Sequence, residues 1–179
     1  MYNNKPVQEV NWDKYESYPP RIKEFMMNPR AFTRKRRENL CKDFILSEKF
    51  MRDYANYLDW GSISVYQRLS EQFMKEYKHR LVWYYVTRNQ KMSDEFIREM
   101  KDYITWSSFP YEKVKSIDFI REWKDYIDWN NFTIHFPIKN ITREFVNEFH
   151  NELWWKYLKY RDYLFSVEIR ERYKEEFDR

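Results

Sequence analysis

Apolar positions along this chain recur in one pattern, repeated five times. Phe50, Phe73, Phe96, Phe119 and Phe145 are each followed at once by an aliphatic residue (Met51, Met74, Ile97, Ile120, Val146). Four places on stands a large apolar or aromatic residue (Tyr54, Tyr77, Met100, Trp123, Phe149), and eight places on stands Leu58, Leu81, Ile104, Ile127 or Leu153. Offsets of one, four and eight lie on one face of an α-helix. Three residues before each Phe is a hydroxyl: Ser47, Ser70, Ser93, Ser116 or Thr142. Such residues cap helices by accepting from the first free backbone N–H groups. Ten residues after each Phe comes a tryptophan: Trp60, Trp83, Trp106, Trp129, Trp155. The pattern predicts a main helix running from cap to Trp, 13 residues and about 20 Å long, which needs neighbours to be stable.

Three residues beyond each Trp a further apolar residue recurs: Ile63, Val86, Phe109, Phe132, Leu158. The repeat therefore predicts a long helix, a tight corner and a short returning helix, although β-branched and aromatic residues after the Trp also suit a short strand. The step is 23 residues three times and 26 at the fourth. Self-similarity at this period marks a stacked array, so the expected fold class is all-α, a short solenoid of about five helix-hairpin repeats. The array spans 46–160, with 1–45 as N-terminal capping helices and 161–179 as a C-terminal capping helix. Near the start, Trp12 and Tyr15 copy the spacing that follows each repeat's Trp, as if only the corner of an earlier repeat survived. Ile22, Phe25 and Met26 then form a helix that Asn28-Pro29 breaks. A second helix is expected over about 31–44, burying Phe32, Leu40, Cys41 and Phe44. Val167, Ile169, Tyr173 and Phe177 predict a final helix with a charged outer side.

Between the apolar columns run charged ones. The third residue after each Phe is acidic (Asp53, Glu76, Glu99, Glu122, Glu148), and the second is basic in four copies (Arg52, Lys75, Arg98, Arg121), with Asn147 in the fifth. A repeated acid invites the idea of a carboxylate ladder for metal or catalysis. Near a helix N-terminus it more simply complements the dipole and pairs with a base of an adjacent helix. The Trp column is expected to anchor each corner in the core.

Composition excludes several functions. Aromatics make up 21% and charged residues 35% of the 179 residues, with one glycine, Gly61, and one cysteine, Cys41. Mean hydropathy is -1.00. A single glycine leaves no phosphate-cradling loop or dinucleotide fingerprint. A single cysteine allows no internal disulfide and fits a reducing compartment. There is no leader pattern and no apolar run long enough to span a bilayer, so the expected location is the cytoplasm. His79, His135 and His150 stand at non-equivalent positions, so neither a metal nor another cofactor is expected.

The strings LSEKFMRDYANYLDWGSISVYQ, LSEQFMKEYKHRLVW, MSDEFIREMKDYITW and SIDFIREWKDYIDW resemble the repeat L-S-E-E-F-I-R-E-F-x-D-x-V-D-W-x-x-I-S-x-x-Q of bacteriophage and giant-virus proteins, over about residues 46–160. The chain departs from it at 114–118 and at Arg143-Glu144. The resemblance implies a viral protein acting inside an infected cell by binding and disabling a host component. It implies no catalytic residue.

Candidate contacts lie where the repeat dictates nothing. Arg34, Lys35, Arg36 and Arg37, with Arg30 nearby, form a basic run suited to phosphates or to an acidic protein surface. The three-residue expansion after Trp129 holds His135, Phe136, Pro137, Ile138 and Lys139, a longer corner able to project as a contact loop. Lys78, Lys101 and Lys124, each five after its Phe, form a possible basic stripe for single-stranded nucleic acid. The expected function is a non-enzymatic, monomeric or dimeric interaction protein that binds a host protein. The alternatives are nucleic-acid binding or capture of a small nucleotide.

Overall fold

The computed structural model describes residues 8–114, 116–137 and 140–178, with the backbone alone at residues 113 and 162–164. Among the described residues the fold is all-α apart from a two-residue parallel strand pair, Gln8–Glu9 against Phe44–Ile45. Two compact units divide between Ile104 and Thr105, inside the repeat array.

Every predicted cap forms. Ser47, Ser70, Ser93 and Thr142 accept from the backbone N–H of the Phe three residues on, and Ser116 from that of Asp118. The helices they start are half the predicted length: Glu48–Asp53, Glu71–Glu76, Asp94–Glu99, Ile117–Trp123 and Arg143–Phe149. The expected cap-to-Trp helix is thus corrected to six or seven residues, about 10 Å. In four copies an indole takes the place of the helical bond, whereas in the third the helix Asp94–Glu99 stops with Trp106 Nε1 unpartnered. In a continuous helix the carbonyl five places after the Phe would accept from the N–H four residues later. Here it accepts instead from the Trp Nε1: Trp60 to Ala55 at 2.9 Å, Trp83 to Lys78 at 2.8 Å, Trp129 to Lys124 at 3.0 Å and Trp155 to His150 at 2.7 Å. The chain makes one separate turn there, closed for example by Leu81 N–H on the Tyr77 carbonyl. The turn keeps the four-residue spacing, so Leu58, Leu81, Ile104, Ile127 and Leu153 are still buried.

A return helix begins at the Trp itself, as Trp60–Tyr66, Trp83–Asn89, Trp129–His135 and Trp155–Leu158, with a single 3₁₀ turn, Trp106–Ser108, in the third copy. Helix, not strand, follows each Trp. Ile63, Val86, Phe109, Phe132 and Leu158 are all buried there. The Phe column is buried except for the half-buried Phe119, whereas only Trp155 of the Trp column is buried and the other four are half-buried. Each Trp lies against an aromatic ring of the next repeat, Trp60 on Tyr77 at 4.8 Å and Trp129 on Phe149 at 5.5 Å. The column therefore joins repeats rather than filling a core.

The N-terminal segment contains a fuller repeat than a surviving corner. Pro20–Met27 is its first helix and Arg34–Asp43, capped by Thr33, its return helix, which packs beside Trp60–Tyr66 as that helix packs beside Trp83–Asn89. Phe32, Leu40, Cys41 and Phe44 are buried as expected. Trp12 is not its corner: its indole donates to the Ile45 carbonyl at 3.2 Å and its ring lies on Phe50. The last predicted helix is present but broken at Tyr173 into Val167–Arg172 and Lys174–Asp178, its cap Ser166 matching the earlier caps.

Candidate functional site

The charged columns pair between successive repeats. Arg52 donates to Glu76 at 2.8 Å, Lys75 pairs with Glu99, and Arg121 meets both oxygens of Glu148 at 2.7 and 2.8 Å. The Arg121 guanidinium holds the Glu148 carboxyl below the usual carboxylate range, and Glu148 in turn raises Arg121. At the fifth copy the base is absent, and Asn147 accepts from the Tyr173 hydroxyl at 2.6 Å. Next to the caps, Glu48 and Glu71 accept from the backbone N–H of Ser70 and Ser93 in the following repeat. These carboxylates are joints, satisfied by their neighbours, and among the described residues no group of three or more His, Cys, Asp or Glu is gathered to hold a metal ion.

Buried and half-buried polar joints complete the stacking. Gln67, seven after Trp60, accepts from the Leu46 N–H at 2.7 Å and donates to the carbonyls of Cys41 and Phe44. Gln90 repeats this one step on, with the Leu69 N–H and the Gln67 carbonyl. Ser64, four after Trp60, donates to the Trp60 carbonyl at 2.7 Å and accepts from the Val82 N–H at 2.9 Å. Thr133 does the same with Trp129 and the Trp154 N–H. In the third copy this position is Pro110, which has no hydroxyl. Tyr111 replaces it, its fully buried phenol donating to the Trp106 carbonyl at 2.9 Å and accepting from the Asp128 N–H at 3.0 Å. Burial raises the Tyr111 pKa and keeps the donor proton in place. Sequence reasoning missed these joints. The available signal was a Ser or Thr four after three of the Trp residues, with Pro in the gap.

The sequence candidates separate on the structure. In the basic run, which starts the helix Arg34–Asp43, Lys35 pairs with Glu38 at 3.1 Å and Arg36 with Glu24 at 2.6 Å, the latter also lying over the Phe32 ring. Arg37 is half-buried, its Nε without a partner among the described residues. Arg34 is open, with 93% of its side chain exposed and its Nε 3.9 Å from Asp59. Arg30 is exposed as well. The expected contact loop is corrected at Phe136, which is buried between Phe132 at 4.5 Å and Phe145 at 5.6 Å, where its stacked ring excludes more water than an exposed position would. His135 is exposed at the end of its helix, and Ile138 and Lys139 lie outside the described residues. Of the lysine stripe, Lys124 pairs with Glu152 at 2.6 Å and Lys78 lies over the Tyr103 ring. Burial, with Asp59 adding to it, pushes the Cys41 thiol up to about 12, so it stays protonated and inert.

The chain matches no family model, no curated protein and no solved structure. No helix among the described residues is long and apolar enough to cross a membrane.

Proposed function

We propose that this chain is a non-enzymatic interaction protein that binds, and thereby inhibits, a host protein. The observation that carries the reading is where the surplus positive charge stands. Residues 1–104 hold 20 Lys and Arg against 15 Asp and Glu, while the remainder hold 13 against 14. Arg34, Lys35, Arg36 and Arg37 occupy the first positions of a helix that has no acid in its first turn. Cations at a helix N-terminus oppose the macrodipole, by about 0.3–1 kcal/mol each. Lys35 and Arg36 meet Glu38 and Glu24 within the protein, and for the exposed Arg34 an acidic partner supplies the missing reason. Nucleophile and acid–base chemistry find no support here, because the hydroxyls cap helices and the carboxylates bridge repeats. The likeness of the repeat to those of bacteriophage and giant-virus proteins supplies the setting, the cytoplasm of an infected cell and a host defence component as target. Pairing of Lys78 and Lys124 within the protein favours a protein partner over a nucleic-acid strand.

The test is a tagged pull-down from nuclease-treated host lysate, read by mass spectrometry for proteins and small molecules. One host protein at near-equal stoichiometry is the expected result. Nucleic acid recovered only without nuclease, or a nucleotide without protein, overturns the reading.

A further inference from the structure

The fifth return segment carries cations that the fold does not use. From Leu153 to Arg161 the chain has Lys156, Lys159 and Arg161 and no acid, and Asp162 ends the run. Among the described residues none of the three has an ion-pair partner, in contrast to Lys35, Arg36 and Lys124. Lys159 stands four after Trp155, where in other copies Ser64 and Thr133 accept a backbone N–H of the next repeat. A lysine has no lone pair to accept that bond, so this joint ends with the fifth copy.

Aromatic rings alternate with the cations. Trp154 and Tyr157 stack at 5.6 Å and 17°, and the Arg161 guanidinium lies over the Tyr157 ring at 4.8 Å. The Lys159 ammonium lies over the Tyr160 ring at 5.4 Å. Lys156 is exposed one helical turn before Tyr160, and Tyr160, at 74%, is the most exposed tyrosine among the described residues. Trp155 and Leu158, on the other side of the segment, are buried. The acidic last helix Lys174–Asp178 meets that buried side, with Phe177 against Trp155 at 5.0 Å. The outward side therefore presents rings and cations and no aliphatic residue.

We propose that Lys156, Lys159, Tyr160 and Arg161, with Trp154 and Tyr157 stacked behind Arg161, bind single-stranded nucleic acid. The site goes beyond the protein-binding reading and is independent of it. The cations take phosphates while Tyr160 stacks on a base, the combination that holds a single strand without reading its sequence. A base is free to stack in this way only outside a duplex. An acidic peptide would find the same charges but no aliphatic surface beside them for its apolar side chains. Lys78 and Lys124, which are engaged within the protein, have no part in the site.

The test is fluorescence anisotropy on the full chain with labelled oligo(dT), an abasic strand of equal length and an oligo-Glu peptide. Wild type is expected to bind oligo(dT) more tightly than either other probe, and less tightly as salt rises. K156E/R161E should weaken oligo(dT) binding about tenfold or more. Tyr160→Ala should bring oligo(dT) down to the level of the abasic strand, a loss of about fivefold or more. R68E/K91E, two exposed cations reversed on the N-terminal unit, matches the first variant in net charge and should bind as wild type does. Thermal midpoints should stay near the wild-type value, because every changed side chain is exposed. No oligo(dT) binding by wild type, equal binding of the abasic strand, tighter binding of oligo-Glu, unchanged binding by Tyr160→Ala, or an equal loss in R68E/K91E overturns the proposal. The lysate pull-down separates the two readings. Nucleic acid beside one host protein before nuclease treatment agrees with both, whereas nucleic acid in place of a host protein overturns the protein reading alone.

Discussion

At one position of the repeat the N-terminal unit joins neighbours through side-chain amides, and the C-terminal unit through an aromatic ring. Seven residues after the Trp, Gln67 and Gln90 bridge backbone groups of adjacent repeats. At the matching position of the C-terminal unit is Phe136, stacked between Phe132 and Phe145. The two solutions differ in chain length as well. From Gln67 to the buried Leu69 is two residues, and from Phe136 to the buried Ile141 is five, so the whole three-residue expansion falls just after the ring. Each glutamine binds main-chain groups about one repeat before it, Gln67 at Leu46 and Gln90 at Leu69. A phenyl ring offers no such bond, and beyond it the Asn140 N–H donates to the Pro137 carbonyl at 2.8 Å. One repeat pattern therefore tolerates a polar or an apolar joint at this position.

The comparison breaks most sharply at the aromatic stack. Phe132→Ala should cost about 3–5 kcal/mol, because it removes a fully buried ring that touches Phe136, Phe145 and Tyr111, and thermal unfolding would measure it. Gln67→Leu imports the apolar joint without the extra residues. It strands the Leu46 N–H and two carbonyls and should cost about 3 kcal/mol, read from denaturant midpoints, with amide exchange accelerated at Leu46. A neutral Gln67→Leu would show that the amide joint carries no stability. Tyr111→Phe keeps the ring and removes only the bridging hydroxyl, with an expected loss of about 1–3 kcal/mol, while the Ala variant at Ser64 should match it at the homologous joint. The smallest effect is that of acid on the charged ladder. The Glu148 carboxyl is depressed in the folded state by Arg121, so its contribution is complete above the ordinary carboxylate value of about 4.3 and is lost as pH falls through the lower folded value. Hydrogen exchange over 143–149 should quicken through that acid window, and E148Q should flatten the dependence.

The caps were legible because their bond is local. A Ser or Thr side chain reaches an N–H two or three residues on, and the geometry is complete within the sequence window that shows it. The buried columns were legible for the same reason, since Phe, the aliphatic after it and the residues four and eight on keep one face whether the helix continues or turns. The mistaken helix length came from that tolerance: the pattern persists across the break, and only the backbone hydrogen bonds show that the ladder stops. The site was less legible. Arg34 and Arg36 cannot be told apart by residue type, and the run divides only when Glu24 and Glu38 are found beside two of its members.

By itself the sequence determined the repeat, its caps, its apolar face and the all-α character, because each rests on spacings within one or two helical turns. Tertiary structure decided which charges meet across some 24 residues, that Phe136 belongs to a stack, and that Tyr111 supplies the hydroxyl Pro110 lacks. Those outcomes depend on which groups remain unsatisfied once neighbouring repeats have met, and a group's partner in a stacked pair lies a full repeat away along the chain.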